Sequence, residues 1–118
     1  MKHSDLFVRT AASLDAMAAL VREEVGLALE REVHGTSVSY VADVDGHRVA
    51  LLLNRDDEPP MDRFDVDVEV DGHDDGERLA FTRAIFDKLA KLGTMELMLT
   101  DNLVEIDRFE PKPAAAAE

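Results

Sequence analysis

Eight consecutive residues, Phe64 to Asp71, alternate apolar and acidic without a break: Phe-Asp-Val-Asp-Val-Glu-Val-Asp. A period of two belongs to a β-strand, whose successive side chains point to opposite faces, and a helix cannot segregate such a pattern. The spacing predicts a strand with Phe64, Val66, Val68 and Val70 on one side and Asp65, Asp67, Glu69 and Asp71 on the other. A sheet with one apolar face must bury it, so the rest of the chain has to supply the cover.

Two segments are suited to that. Behind Ser13, a side chain able to cap a helix, Leu14, Met17, Leu20, Val21 and Val25 fall on one arc at helical spacing. This helix is expected to end near Val25 with Gly26 just past it. A rival reading continues it to about Arg31 and keeps Gly26 inside, at a cost of about 1 kcal/mol. The second helix opens on Asp74, with Glu77 three residues on as in a capping box. Its Leu79, Phe81, Ile85, Phe86, Leu89 and Leu92 form a continuous arc, and Gly93 closes it.

The remaining segments read as strands. Leu6 to Thr10 is short and β-compatible. From Leu27 to Leu53 the period is two: Leu27, Leu29 and Val33 alternate with charged residues, and Val38, Tyr40, Ala42 and Val44 follow. Asp45-Gly46 suits a two-residue hairpin turn, where both central residues take positive φ. Arg48 to Leu53 is nearly all aliphatic and reads as a central strand buried on both faces. Asn54 to Arg63 is a polar loop that contains Pro59-Pro60. Met95 to Thr100 and Leu103 to Arg108 form a last hairpin turning at Asp101-Asn102. The expected fold is α+β: a two-layer sandwich of a mostly antiparallel sheet with two helices on one face. It is a single domain over residues 1–110, and residues 111–118 are expected to form a flexible tail with nothing to bury.

Charge narrows the function classes. With 26 Asp and Glu against 13 Lys and Arg in 118 residues, the net charge is −13. A chain that neutralises phosphates needs a basic face, so direct nucleic-acid binding is not expected, nor is docking on anionic membranes. The chain has no cysteine for disulfide or thiolate chemistry. Nor does it hold a signal-peptide core or an apolar run near the roughly 20 residues of a membrane helix, so a cytoplasmic protein is expected.

The residues offer no recognisable catalytic constellation. His3, His34, His47 and His73 are dispersed and read as surface or turn histidines. Asp43-Val44-Asp45-Gly46 is a poor calcium loop, because the chain continues as an aliphatic strand instead of supplying the remaining ligands. There is no phosphate-binding glycine loop, nucleophile elbow or zincin motif. No catalytic, cofactor or metal residue is assigned, although an enzyme built from scattered carboxylates would leave little trace.

The negative charge is concentrated. Between Asp56 and Glu77, eleven carboxylates face a single arginine, Arg63, so this segment carries −10 of the total −13. Carboxylates two residues apart on a strand sit about 6.7 Å apart, too far for neighbours to chelate one ion unaided. A basic protein partner would satisfy such a row, with charge speeding its capture. The candidate partner contacts are Asp56, Asp57, Glu58, Asp62, Asp65, Asp67, Glu69, Asp71, Asp74 and Asp75. The competing reading is a solvated outer face that keeps the protein soluble and blocks sheet-edge pairing.

Several segments together resemble small acidic actinobacterial immunity proteins of toxin–immunity systems. They are Phe7-Val8-Arg9-Thr10, a first helix ending in Gly26-Leu27, Asn54 ahead of an Asp-rich loop, Glu77-Arg78-Leu79-Ala80 through Leu92-Gly93, and Leu97-Met98-Leu99. The resemblance implies a single-domain, non-enzymatic inhibitor that occludes a basic toxin, often a nuclease, and it carries over no catalytic residues. The alternatives are a nucleic-acid mimic, a homodimeric interaction domain, and a small-ligand domain or enzyme with a pocket between sheet and helices.

Overall fold

The computed structural model describes residues 3–111, so the expected tail at 112–118 lies outside the described residues. The elements are β1 (His3–Arg9), α1 (Leu14–Glu24), β2 (Glu30–His34), β3 (Ser37–Val44), β4 (His47–Leu53), β5 (Val66–Asp71), α2 (Asp75–Leu92), β6 (Glu96–Asp101) and β7 (Val104–Phe109), with a short 3-10 turn at Met61–Arg63. The strands form one antiparallel sheet in the order β2-β3-β4-β5-β1-β6-β7. The α+β, two-layer architecture expected from the sequence is the one observed.

Both helices cover the same face. Val66, Val68 and Val70 of β5 meet Leu6 and Val8 of β1, Val49 and Leu51 of β4, and Leu97 and Leu99 of β6 in a single core. Met17, Ala18 and Val21 of α1 and Ile85, Phe86 and Leu89 of α2 close that core from above. The helix ends follow local rules. Ser13 accepts from Ala16 N–H, Asp74 accepts from Glu77 N–H, and Gly93 ends α2 at φ 72°. Gly26 lies just past α1 at φ 84°, which settles the helix end at Glu24 over the longer rival. Asp45 and Gly46 take φ 51° and 81°, as a hairpin of two residues requires.

Several expectations are corrected. β4 is sealed on one face only: Val49 and Leu51 are buried, while on the other face Arg48 is exposed and Ala50 and Leu52 are half-buried. Neither α1 nor α2 packs on the sheet's other side, so an aliphatic run does not there imply double burial. Leu27 and Leu29 are buried but precede β2, and Val33 within it is 52% exposed. The last hairpin turns at Asn102-Leu103, both with positive φ, one residue later than expected. Phe64 does not join the valines. β5 begins only at Val66, and the turn before it sends Phe64 into a second cluster with Phe7, Met98 and Met61.

Polar residues also hold the helix layer. Arg78, on the inner face of α2 and 1% exposed, donates from Nε to Ser4 Oγ (3.1 Å) and from Nη2 to Asp101 Oδ1 (2.9 Å). Its Nη1 donates to Asp75 Oδ1 (2.9 Å) and to the Gly72 carbonyl (3.3 Å). Burial alone would lower its pKa, but the hydrogen bonds to Asp101 and Asp75 outweigh that and raise it. His47, expected at the surface, is instead 8% exposed and stacks on Phe81 at 4.7 Å.

Candidate functional site

The face without helices carries the odd-numbered residues of the central strands. On β1 these are His3, Asp5 and Phe7, and on β5 Asp67, Glu69 and Asp71. The antiparallel register sets Asp5 opposite Glu69, Phe7 opposite Asp67 and His3 opposite Asp71. On its far side Asp5 faces Thr100, and Phe7 faces Met98. An apolar half (Phe7, Phe64, Met98 and Met61) therefore adjoins an acidic half on one continuous surface.

The loop between β4 and β5 covers the apolar half. Asn54 organises it, donating from Nδ2 to the carbonyls of Met61 (2.8 Å) and Phe64 (2.9 Å) and accepting at Oδ1 from Asp56 N–H (3.0 Å). Asp65 accepts from Thr10 N–H (2.9 Å), which ties this loop to the end of β1. Phe7 and Phe64 pack with ring centroids 6.1 Å apart.

The acidic half is not the evenly solvated row the sequence suggested. Asp5 is 1% exposed, although it lies on the helix-free face. Its Oδ1 contacts His3 Nδ1, while no nitrogen donor among the described residues reaches its Oδ2. Among the described residues no nitrogen donor reaches the buried Oδ1 of Asp67 either. Burial penalises the charge on Asp67, and Asp5 accepts a hydrogen bond from its protonated form. Together these push its pKa up to about 10. Glu69 is shifted upward as well, by burial and by the nearby Asp5, with His3 opposing. Among the described residues no Lys or Arg forms an ion pair with Asp5, Asp67 or Glu69. One His Nδ1 and one oxygen each from Asp5 and Glu69 lie within 4.8 Å of one another, a set able to hold a metal ion.

The other predicted contacts divide between structural and exposed positions. Asp74 caps α2, Asp75 pairs with Arg78 at 2.9 Å, and Asp56 accepts from Glu58 N–H at 3.1 Å within the loop. Asp57, Glu58 and Asp62 are exposed on the loop beside the helix-free face. β5 is paired on both sides, by β4 and β1, so its charges do not guard a sheet edge.

No protein-family model matches the chain, and no curated protein or solved structure matches it. The site has to be read from its own chemistry.

Sequence reasoning does not reach His3 and Asp5, because the apolar signal of β1 starts only at Leu6. The one available hint was that His3 and Asp5 continue the alternation of Phe7 backwards. A cleft of about 590 Å³ at the end of β1 is lined by Arg9, Thr10, Arg63, Asp65 and Glu96. Both of its arginines turn to Glu96, Arg9 at 3.7 Å and Arg63 in closer contact, so they are not spare charges for an anionic ligand.

Proposed function

We propose that the chain is a non-enzymatic binding protein that neutralises or chaperones a basic protein partner through the helix-free face of its sheet. The observation that carries this reading is the concentration of carboxylates there: among the described residues no Lys or Arg pairs with Asp5 or Glu69, and Asp57, Glu58 and Asp62 stand exposed on the adjoining loop. Charge of one sign on an open face speeds capture of an oppositely charged partner and orients it. The adjoining apolar half, Phe7, Phe64 and Met98, is closed by its own loop, so tightness would have to come from partner side chains reaching the acidic half. An immunity-type toxin inhibitor is the specific form of this reading that the sequence resemblance suggests.

The test is to capture partners of the tagged chain from its host, then rebuild the complex from the chain and the identified basic protein. The expected result is a one-to-one complex whose association slows steeply with salt. Changing Asp57, Glu58 and Asp62 together to Ser should slow association at least several-fold. A complex insensitive to both salt and this triple change would overturn the reading.

One observation favours a second reading, self-association. Edge strand β7 and its turn expose Leu103 (45%), Val104 (64%) and Ile106 (44%) in succession, and an exposed apolar edge invites strand pairing. Light scattering after size exclusion checks it: a salt-insensitive dimer lost in Ile106→Lys supports this reading, and a monomer excludes it.

A further inference from the structure

We propose that His3, Asp5 and Glu69 form a site for a divalent metal ion of the zinc or manganese class on the helix-free face. This goes beyond the partner-binding reading and stands without it. Three observations carry it.

The first is geometry. Nδ1 of His3 and a carboxylate oxygen from each of Asp5 and Glu69 all lie within 4.8 Å of one another. Atoms bonded to one ion at about 2.0–2.2 Å end roughly 3–4 Å apart. Small side-chain rotations close that difference, since His3 and Glu69 are only partly buried. The backbone need not move, because Asp5 and Glu69 already face each other across the β1–β5 ladder and His3 sits two residues from Asp5 on the same side.

The second is the unmet demand of Asp5. It is 1% exposed, yet among the described residues no nitrogen donor reaches its Oδ2, and only the protonated carboxyl of Asp67 hydrogen-bonds to it besides the His3 contact at Oδ1. A buried carboxylate without a cation or a full set of donors is costly. A divalent ion held with His3 and Glu69 would give the buried Asp5 carboxylate the cationic partner that no Lys or Arg among the described residues provides.

The third is ligand chemistry. One imidazole nitrogen and two carboxylates suit zinc, manganese or iron(II), and with no thiolate in the chain the softer alternatives are disfavoured. Two carboxylates and a neutral imidazole balance a charge of +2. Three protein ligands leave positions for water, and the partial exposure of His3 and Glu69 gives the ion a way in.

The test uses the tag-free full chain after treatment with a chelator, titrated separately with zinc chloride and manganese chloride. Binding heat should report one ion per chain at micromolar affinity or tighter. The melting temperature should rise by about 5–10 °C at a hundredfold excess over Kd. Manganese should broaden the backbone amide resonances of residues 3–7 and 67–71 selectively. His3→Gln and Glu69→Gln are on partly exposed side chains and should fold, and each should weaken binding at least tenfold. Glu23→Gln, exposed on α1, should bind as the parent does. Absence of binding to both ions, or tight binding kept in both His3→Gln and Glu69→Gln, would overturn the proposal. A complex with a basic protein formed equally well with and without metal would leave partner binding standing if the metal site failed.

Discussion

Asp5 and Glu69 face each other across the β1–β5 ladder on the side of the sheet that no helix covers, and only Asp5 is sealed from solvent. Helices are not what buries it. Its neighbours Phe7, Thr100, Asp67 and Glu69 stand around it on a surface that the Phe64 loop closes at one end. A carboxylate row that the sequence lays out along one strand thus becomes a cluster drawn from two.

Asp67 gives this cluster a pH signature. Its folded pKa, pushed up to about 10 by burial and by Asp5, lies above its unfolded value of 3.8. Its contribution to stability is therefore fully present below about pH 3.8 and is lost as pH rises toward 10. Urea unfolding of metal-free protein at pH 5 and pH 8 should show Asp67→Asn losing less stability over that interval. The variant should be more stable than the parent by about 1–2 kcal/mol at pH 8. A parent more stable at pH 8 than Asp67→Asn would contradict the protonated state.

Arg78 fastens α2 to the sheet through Ser4 and Asp101. Arg78→Ala should cost about 2–4 kcal/mol by removing the buried guanidinium and its hydrogen bonds to Ser4, Asp101 and the Gly72 carbonyl. Arg78→Lys should recover little of it, because an ammonium cannot serve Ser4, Asp101, Asp75 and Gly72 from one planar fork. Chemical denaturation checks both, and an unchanged midpoint in Arg78→Ala would refute the role.

Asn54 holds the loop over the second cluster by side-chain hydrogen bonds to Met61, Phe64 and both backbone groups of Asp56. Asn54→Ala should destabilise the chain by about 1–3 kcal/mol. It should also speed hydrogen exchange at residues 56–64 while leaving the amides of α1 and α2 protected. Uniform loss of protection across the chain would show that the loop is not a separate unit.

Gly72 lies against His47: a Cβ there would sit 2.5 Å from His47 Nδ1. Gly72→Ala should push the imidazole off Phe81, seen as a changed His47 resonance, and lower the melting temperature. A Gly72→Ala chain with the parent's melting temperature and His47 signal would contradict that contact.

Much of the fold was legible because it is written locally. The Val66–Asp71 alternation, the Ser13 and Asp74 caps, Gly93 and the Asp45-Gly46 turn each depend on neighbours within four residues, and each forms as read. The candidate site was only half legible. Asp67, Glu69 and Asp71 could be placed on one side of a strand, but their partners His3 and Asp5 lie more than 60 residues away. That juxtaposition is set by strand order, which periodicity does not encode. Arg78 was missed for the same reason, since a charged residue inside an apolar arc reveals its burial only once Ser4 and Asp101 are in place. Phe64 and Arg48–Leu53 were misread because alternation and apolarity do not say which face stays open.

The most direct test of the central claim is a map of the bound surface. With the identified basic partner in hand, backbone amide shifts of the labelled chain would be followed on adding it. The expected changes concentrate at Asp57, Glu58, Asp62, Asp67, Glu69 and Asp71, with α1 and α2 unmoved. Changes confined to the outer surfaces of the helices, or to β7, would place the working surface elsewhere and contradict the account.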